Sequence, residues 1–385
     1  MPSSAVIAAR GAERWRAGHP WIYRSDVLKA AADPGDLVEV RSERGRPLGY
    51  AFFSSTSQIT LRMLGDGPRD EREFFRERLQ AAISYRQRVA AGADAYRLVN
   101  GEADRIPSLI VDRYGDVLVV QTLSQGTDAR LDLFVELLQE LVAPSGILVR
   151  NDPKVRSLEG LETVVEVQAG EVPDLIDVSE GAIRYQVDVR HGQKTGLFLD
   201  QRENHLVAGA YASGRGLDAF AYHGGFALQM AGQCESVLAL DGSEPAVAAL
   251  AANAERNGLS NVEARVANVF DELRELEIAK ARFDTIVLDP PAFAKTKASL
   301  PKALGGYKEI NLRALKLLRP GGMLITCTCS YHVSEPLFLE VLERAAADAL
   351  APVVLVEKRL QARDHPVLLG VPETAYLKCL VLRRL

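Results

Sequence analysis

The first part of the chain carries short runs in which apolar and polar residues alternate. Stretches such as DLVEV (36–40) and QITL (58–61) alternate with period two, and turn residues separate them, as in DPGD (33–36) and GDGP (65–68). Such alternation is typical of half-buried strands, and clusters of Gly, Pro and Asp are typical of tight turns. The pattern predicts a small, mostly β domain over residues 1–70.

The hydrophobic period changes at Glu71. Phe75, Leu79 and Ile83 recur near helical spacing among charged residues, which predicts an amphipathic helix. The apolar runs that follow predict, in order, two strands within 108–123, a helix near 128–142, and strands near 146–150 and 162–168. Residues 71–180 are therefore predicted to form an α+β middle domain.

From residue 181 onward, strand patterns alternate with helical patterns. This order is typical of β-α-β units and predicts a mostly parallel sheet. The last two strand patterns, VVLVEKRL (353–360) and AYLKCLVLRRL (375–385), are joined by a loop without room for a crossover helix. We therefore expect an antiparallel C-terminal hairpin at one edge of an α/β domain that covers residues 181–385.

Charge is spread unevenly along the chain. The net charge is −5, but residues 1–105 carry +3 and residues 106–385 carry −8. All but one of the basic residues in the first segment are Arg, which binds phosphate oxygens well and favours an RNA partner. Because the whole chain prefers Arg to Lys, this pattern alone does not decide the partner.

Composition bounds the class of protein. A hydrophobic content of 47% excludes a wholly disordered chain. The four Cys form no paired framework, no apolar run reaches the roughly 18–20 residues that cross a bilayer, and the N-terminus lacks a signal-peptide pattern. These features predict a cytoplasmic protein in a reducing compartment.

Acidic residues lie at the ends of the first two strands of the third domain. In GLDAFAYHGGF (216–226), Asp218 lies at the first strand, and Gly224 and Gly225 allow a ligand to approach the backbone closely. The spacing is not GxGxxG, which disfavours a dinucleotide site. Asp241 ends the second strand, where an acidic group can accept both ribose hydroxyls of a nucleoside cofactor. In the alternative interpretation, both residues only cap loops or helices.

The motif LDPPAFAK (288–295) ends the fourth strand of this domain. Two consecutive prolines fix φ and lack N–H donors, so they predict a rigid lip rather than a helix start. Asp289 on this lip can accept a hydrogen bond from the exocyclic amine of a planar base, or it serves the turn alone. Together, Asp218, Asp241 and Asp289 indicate a nucleoside-binding edge of the sheet.

The motif TCTCS (326–330) ends the fifth strand at the same edge. Cys327, Cys329 and His332 lack a fourth ligand at metal spacing, so we expect no metal site. Cys327, like Cys234 and Cys379, is expected to be an inert core residue. For Cys329 two interpretations remain open, a core position and a nucleophile that emerges into the ligand-binding crevice.

These motifs resemble those of class I S-adenosylmethionine-dependent methyltransferases. The whole chain is similar to the bacterial large-subunit ribosomal RNA cytosine-5 methyltransferases, which carry a small β-barrel PUA domain, an α+β middle domain and a Rossmann-like methyltransferase domain. The segments that carry the resemblance are HPWIYRSDV (19–27), RLVNGEADRIPSLIVDRYGD (97–116), TGLFLDQRENH (195–205), GLDAFAYHGGF, LDPPAFAK, GGYKEINLRAL (305–315), TCTCS and DHPVLLGVPETAYLK (364–378). TGLFLDQRENH is the most distinctive, because generic methyltransferases lack it.

The resemblance implies S-adenosylmethionine as the cofactor and Cys329 as the nucleophile, with Asp289 at the N3/N4 edge of the target base. It implies cofactor-binding roles for Phe198, Gln201, Arg202, Asp218, Phe220, Asp241, Asn268, Val269 and Asp289. Two positions depart from related patterns. Asn268 stands where many class I enzymes have an acidic residue, and LDPPAFAK lacks the cysteine that many other RNA cytosine-5 methyltransferases carry there.

The function implied is methylation of cytosine C5 in 23S ribosomal RNA through a covalent adduct between Cys329 and C6. The partner implied is 23S rRNA or the large ribosomal subunit, and no membrane is involved. Whether the protein forms a homodimer is left undecided. Two alternatives remain: an RNA amino- or other-position methyltransferase that needs no cysteine nucleophile, and a non-catalytic RNA-binding factor for ribosome assembly. A nicotinamide dehydrogenase is a weaker alternative, because GxGxxG is missing.

Overall fold

The alternating pattern at the start of the chain forms a mixed sheet, as the sequence predicts. The structure, a computed structural model, describes residues 3–67, 70–294 and 296–385. The strands of this sheet are β1 (Ser4–Ile7), β2 (Trp21–Tyr23), β3 (Val27–Ala31), β4 (Leu37–Ser42), β5 (Pro47–Phe53) and β6 (Ile59–Gly65), paired in the order β2–β6–β5–β4–β1–β3. Pro68 of the predicted GDGP turn and Lys295 of LDPPAFAK lie outside the described residues.

A helix that the hydrophobic pattern does not predict, α1 (Ala9–Arg16), follows β1. Its buried positions are Gly11 and Ala12, and Trp15 is only partly buried. A Cβ atom at Gly11 would lie 3.2 Å from the Cβ atom of Asp26, so the helix packs closely because it presents small residues. Small residues give a weak hydrophobic signal, which explains why the sequence pattern shows only strands here.

The middle segment forms a second sheet with helices, as predicted. Its helices are α2 (Glu71–Val89), α3 (Gln125–Asp128) and α4 (Leu131–Val142), and its strands are β7 (Ala95–Asn100), β8 (Leu109–Tyr114), β9 (Val117–Thr122), β10 (Gly146–Asn151) and β11 (Val164–Gly170), in the order β11–β10–β9–β8–β7. The ring centroid of Phe75 lies 5.1 Å from that of Phe134 and 5.9 Å from that of Phe52 in β5. The two sheets therefore contribute to one hydrophobic core.

A buried ion pair also connects these two parts of the chain. Arg62 in β6 donates from Nη2 to Oε1 of Glu159 at 2.7 Å, and the two side chains are only 5% and 1% exposed. Ser54 Oγ donates to Oε2 of Glu159 at 2.6 Å, and the backbone N–H of Gln125 donates to the same oxygen at 3.2 Å. Both carboxylate oxygens are thus satisfied, as a buried charge requires.

The chain divides into two units, each formed by several segments. The first consists of Met1–Val178, Val187–Gly196 and Arg363–Thr374, and the second of Ser179–Gln186, Leu197–Ala362 and Ala375–Leu385. Two short segments from the predicted third domain therefore belong to the first unit. The three-domain boundaries at 1–70, 71–180 and 181–385 stay a prediction, since this division does not separate the first two domains.

These returning segments are tied into the first unit by buried hydrogen bonds. The backbone N–H of Arg97 donates to Oδ2 of Asp364 at 2.8 Å, and Nη2 of Arg86 donates to the Asp364 carbonyl at 2.9 Å. Thr195 Oγ1 donates to Oδ2 of Asp112 at 2.6 Å. Asp112 and Asp364 are fully buried, so these bonds satisfy groups that water does not reach.

A hairpin precedes the α/β sheet, with β12 (Ile176–Glu180) paired to β13 (Ile183–Val187). The strands of the α/β sheet are β14 (Gly214–Ala219), β15 (Cys234–Asp241), β16 (Val262–Val266), β17 (Phe283–Leu288), β18 (Leu318–Thr328), β19 (Val353–Arg359) and β20 (Lys378–Arg384). Its helices are α5 (Arg202–Tyr211), α6 (Gly225–Ala231), α7 (Glu244–Arg256), α8 (Val269–Ile278), α9 (Leu300–Leu317) and α10 (Glu335–Asp348).

The order of this sheet is β16–β15–β14–β17–β18–β20–β19. The strands from β16 to β18 pair in parallel, whereas β20 pairs antiparallel with both β18 and β19. The predicted Rossmann-like sheet with an antiparallel C-terminal hairpin is therefore confirmed. Among the helices of the described residues, none has the length and apolar character needed to cross a membrane.

Candidate active site

Three carboxylates lie at one edge of the parallel sheet. Asp218 is the penultimate residue of β14, Asp241 is the last residue of β15, and Asp289 directly follows β17. Because β14 pairs in parallel with both neighbours, the carboxyl ends of these strands meet at the same edge. The structure thus brings together the three acidic residues that the sequence singles out.

Asp218 is fully buried and only half satisfied. Its Oδ2 accepts a hydrogen bond from the backbone N–H of Ala227, in the first turn of α6, at 2.8 Å. Its Oδ1 has no hydrogen-bond partner among the described residues. Burial, together with the negative charge of Asp289, raises the pKa of Asp218 to about 7. Asp218 therefore caps a helix, and it also keeps one buried oxygen that a ligand donor can satisfy.

Asp241 is half-buried and holds two backbone groups. Its Oδ2 accepts from the N–H of Tyr222 at 2.9 Å, and its Oδ1 accepts from the N–H of Ser243 at 2.8 Å. These bonds tie the loop after β14 to the end of β15. Each carboxylate oxygen retains a further acceptor site, so the capping interpretation and a ribose-binding role are compatible.

The loop between β14 and α6 has an unusual backbone. Phe220, Tyr222 and Gly224 have φ values of 70°, 48° and 90°. A Cβ atom at Gly224 would lie 2.8 Å from Cγ of Leu250, and one at Gly225 would lie 2.4 Å from a histidine ring. The loop requires glycine at these positions, and it brings bare backbone to the edge of the sheet where ligands of such folds bind.

The histidine against Gly225 is His205 of TGLFLDQRENH, a residue the sequence analysis does not single out. Its Nδ1 lies 2.8 Å from Oε1 of Glu180, and its ring packs edge-on against Phe226 at 4.5 Å between centroids. Burial alone would lower the pKa of His205, but the Glu180 carboxylate raises it above its usual value. The His205–Glu180 pair is buried, and the His205 ring packs against Gly225 at the start of α6.

Gln201 connects the TGLFLDQRENH segment to Asp289. It is buried, its Nε2 donates to Oδ1 of Asp289 at 2.9 Å, and its Oε1 accepts from Nδ2 of Asn204 at 2.7 Å. The amide is thus held on one side and orients the carboxylate on the other. The neighbouring Arg202 is also buried, and the ring of Phe198 stands edge-on to a ring of the β14–α6 loop.

Three further residues that the resemblance assigns to the cofactor, Asn268, Val269 and Phe220, lie at or near the start of α8. Asn268 is exposed and caps α8, accepting a hydrogen bond from the N–H of Phe270 at 3.0 Å. Val269 is buried at the start of that helix. The half-buried ring of Phe220 lies 6.4 Å from the rings of both Phe270 and Phe293. An apolar, partly open surface therefore adjoins the polar edge.

Cys329 is the first residue beyond β18, and it is half-exposed. Its Sγ lies 4.0 Å from the carbonyl oxygen of Pro290, the residue after Asp289 on the predicted lip. Cys234, Cys327 and Cys379 are buried, which confirms the predicted core positions. Cys329 instead lies at the carboxyl end of β18, at the edge of the sheet that carries the three carboxylates.

Two buried polar residues beside Cys329 are not evident from sequence. Lys378 in β20 pairs in register with Thr328, the last residue of β18. Burial lowers the pKa of Lys378, whereas the nearby Cys329 raises it. Tyr307 in α9 is fully buried, and its hydroxyl approaches the residues on both sides of Cys329. In the sequence, Tyr307 and Lys378 stand out only as members of the family segments GGYKEINLRAL and AYLKCL.

Comparison with known proteins gives the geometry a family context. The family described as PUA-like domain matches residues 6–66, and the family described as S-adenosylmethionine-dependent methyltransferase matches residues 115–383. The chain is 38% identical over 386 residues to a "Ribosomal RNA large subunit methyltransferase I" from Erwinia tasmaniensis, with 97% of each chain covered. It is 37% identical over 388 residues to the protein of that name from Cronobacter sakazakii, with 98% of each covered.

Solved structures share the same fold over the whole chain. A putative S-adenosylmethionine-dependent methyltransferase from Streptococcus mutans matches with a TM-score of 0.84 and 21% identity, covering 100% of both chains. A putative methyltransferase complexed with SAH matches with a TM-score of 0.85 and 21% identity, again over 100% of both chains. With its matching domains, its strand-end carboxylates and relatives that align along nearly its full length, the chain belongs to the S-adenosylmethionine-dependent methyltransferase family that includes the ribosomal RNA large subunit methyltransferase I proteins.

Proposed function

We propose that this protein methylates C5 of a cytosine in 23S ribosomal RNA, in the cytoplasm, through a transient bond between Cys329 Sγ and C6 of the base. The observation that carries the proposal is the position of Cys329. It leaves the sheet at the edge that bears the three carboxylates, with its Sγ 4.0 Å from the carbonyl of the residue next to Asp289. The names of the relatives support ribosomal RNA as the substrate.

The edge of the sheet suits S-adenosylmethionine, which carries an ammonium group and a sulfonium group. The buried Oδ1 of Asp218 lacks a partner among the described residues and can accept from the ammonium. Asp241 would hold the ribose, and the bare backbone at Gly224 leaves room for close approach. We assign the remaining contacts to Phe198, Gln201, Arg202, Phe220, Asn268, Val269 and Asp289. When bound, the cofactor supplies an electrophilic methyl group.

Cytosine C5 is too weak a nucleophile to be alkylated unaided, and the cysteine overcomes this. The Cys329 thiolate forms a bond from Sγ to C6, and the electron pair of the C5–C6 double bond moves onto C5 and into the ring. Once C5 carries the methyl group, loss of the C5 proton returns an electron pair to the C5–C6 bond, and the bond from C6 to Sγ breaks to release the Cys329 thiolate. The cysteine is thus regenerated, and the base is released with a new methyl group on C5.

Asp289 would hold the base in the orientation that this addition needs. Gln201 fixes one of its carboxylate oxygens, so the side chain keeps its direction without rearranging during the reaction. A carboxylate at the N3/N4 edge accepts from the exocyclic amine and so fixes the orientation of the base as sulfur adds to C6. Cytosine within a duplex cannot reach such an edge, so the target is expected in a flipped or single-stranded position.

Removal of the thiol tests the proposal directly. Cys329→Ala is expected to bind S-adenosylmethionine as the wild type does and to abolish formation of 5-methylcytosine in rRNA, measured by mass spectrometry of nucleosides after digestion. Cys234→Ala, which removes a buried thiol elsewhere in the same unit, is the matched control and should stay active. Near wild-type C5 methylation by Cys329→Ala would refute the covalent mechanism.

A second candidate function follows from the lip itself. An Asp289-Pro290-Pro291 lip also suits methylation of an exocyclic amine, which needs no nucleophile, because a carboxylate and rigid backbone acceptors can hold the N–H groups. In that case, Cys329→Ala would stay active and the product would carry its methyl group on nitrogen. A protein that binds neither S-adenosylmethionine nor its demethylated product would instead act as a non-catalytic assembly factor.

A further inference from the structure

The hydroxyl group of Tyr307 lies where two functional segments meet. Tyr307 is on α9 and is fully buried, with 0% of its surface accessible to solvent. One of the two segments is the lip that begins with Asp289, and the other is the strand end that carries Cys329. Neither the mechanism nor the sequence analysis assigns a role to this phenol.

The residues on both sides of Cys329 bind the Tyr307 hydroxyl. Thr328 Oγ1 donates to it at 2.8 Å, and Ser330 Oγ lies 2.9 Å from it. The backbone N–H of Ser330 also donates to Thr328 Oγ1, at 3.2 Å, so the strand end closes on itself around Cys329. The cysteine is thereby held through its two covalent neighbours.

The lip is bound to the same group of hydroxyls. The backbone N–H of Ala294, five residues after Asp289, donates to Ser330 Oγ at 3.1 Å. Phe293 packs its ring against the Tyr307 ring, with 4.7 Å between centroids. Ser330 Oγ therefore accepts from the lip and also lies within hydrogen-bond distance of the Tyr307 hydroxyl, so Ser330 links the lip to this phenol.

Burial keeps this arrangement in a single protonation state. Burial raises the pKa of Tyr307, so the phenol stays protonated and can act as a donor over the whole neutral range. The ring of Phe338 in α10 contacts the Tyr307 ring edge-on, at 5.6 Å between centroids. Phenylalanine would fill the same space, so packing alone does not require the hydroxyl.

We propose that Tyr307 is a positioning residue whose hydroxyl holds the Cys329 strand end against the Asp289 lip, and so sets the placement of the nucleophile relative to the base. This inference rests on the function proposed above. Reacting atoms must be placed to within a fraction of an ångström, and a displacement of about 1 Å can lower a rate about 100-fold. Loss of the hydroxyl should therefore slow the reaction without weakening the binding of either substrate.

The test is Tyr307→Phe, with Tyr211→Phe as the matched control. Tyr211 donates its hydroxyl to Glu357 at 3.0 Å in the same unit, away from the lip. For Tyr307→Phe we expect kcat for rRNA methylation to fall about 10- to 100-fold, while KM for rRNA and Kd for S-adenosylmethionine stay within about twofold of wild type. Tyr211→Phe should match the wild type in all three.

A covalent-trapping assay separates this proposal from the mechanism on which it rests. RNA that carries 5-fluorocytosine cannot lose a proton from C5 after methylation, so it should remain bonded to Cys329 in a denaturing gel. Wild type should form the adduct, and Tyr307→Phe should form it slower by the same factor as its loss in kcat. If wild type methylates RNA but forms no adduct, the covalent mechanism is wrong. If the adduct forms at equal rates in both proteins, Tyr307 is not a positioning residue.

A second variant covers the case in which Tyr307→Phe does not fold. Thr328→Val keeps the shape of the side chain and removes the donor to the Tyr307 hydroxyl. It should show the same pattern, a lower kcat with little change in KM, and its folding is checked by the binding of S-adenosylmethionine. A folded Thr328→Val with wild-type kcat would overturn the proposal.

Discussion

Because we propose that the half-satisfied carboxyl group of Asp218 receives the ammonium group of the cofactor, we expect cofactor binding to depend on pH. In the free protein the group has a pKa of about 7, raised by burial and by Asp289. A cation beside Oδ1 requires the ionised form. The protein must therefore release the proton of Asp218 when it binds S-adenosylmethionine below this pKa, and its affinity must fall as the pH falls.

The size of the effect follows from the shift. Moving the pKa from 3.8 to about 7 means that the fold disfavours the charged form by about 4 kcal/mol. Because the folded pKa lies above the unfolded one, this group's contribution to stability is full below about pH 4 and is lost as the pH rises to about 7. For binding, the same proton lowers the affinity about 25-fold between about pH 7.5 and about pH 5.5.

The assay is equilibrium binding at several pH values in that range. The amino group of S-adenosylmethionine titrates near pH 7.7–8.0 and so stays charged over most of this range. His205, whose pKa the Glu180 carboxylate raises, also titrates in the neutral range, so the measurement needs variants that identify the group. Two controls isolate the carboxylate. 5′-Methylthioadenosine, which lacks both positive charges, should bind with little dependence on pH. Asp218→Asn should bind S-adenosylmethionine more weakly at about pH 7.5, and its affinity should be nearly flat with pH.

Two results would refute this reasoning. One is an affinity of wild type for S-adenosylmethionine that is constant between about pH 5.5 and about pH 7.5. The other is an Asp218→Asn variant that keeps the wild-type slope, since the proton would then belong to another group.

Two further predictions concern the electrostatics of buried groups. Lys378→Met should slow alkylation of Cys329 by iodoacetamide severalfold at pH near 7, because a nearby ammonium favours the thiolate. Lys378→Arg should retain most of the alkylation rate. Equal rates in the wild type and both variants would contradict this role of Lys378. Glu159→Gln leaves the charge of Arg62 buried without its partner and should lower the free energy of unfolding by about 3–5 kcal/mol. The matched control is Glu136→Gln at an exposed ion pair, which should lower the free energy of unfolding by less than about 1 kcal/mol in chemical denaturation. Similar losses of unfolding free energy for the two variants would show that burial does not set the cost.

The sequence predicts the carboxylate edge well because its signal is local. Asp218, Asp241 and Asp289 each lie at the end of an apolar run, and parallel strands place such ends together. The antiparallel C-terminal hairpin is also confirmed, but residues 360–377 separate its two strands, and Arg363–Thr374 within this connection belong to the first unit. For the carboxylate edge, a few neighbouring residues determine the outcome.

The residues that the sequence does not reveal depend on long-range contacts. Tyr307 and Ser330 are 23 residues apart, and Glu180 and His205 are 25 apart. A buried tyrosine on an apolar helix face looks like any other core residue until its hydroxyl partners are known. Helix α1 is hidden for another reason, because it has only eight residues and its buried positions, Gly11 and Ala12, are small.

The interleaving of the two units has a consequence for how the protein is made. Along the described chain, the backbone passes from one unit to the other five times. The carboxylate that accepts from the N–H of Arg97 belongs to Asp364, 267 residues later. During synthesis the first unit must therefore wait for Asp364, whose carbonyl also accepts from Nη2 of Arg86, until nearly the whole chain has left the ribosome. An expressed fragment that stops near residue 180 would lack the residues that complete its own interior.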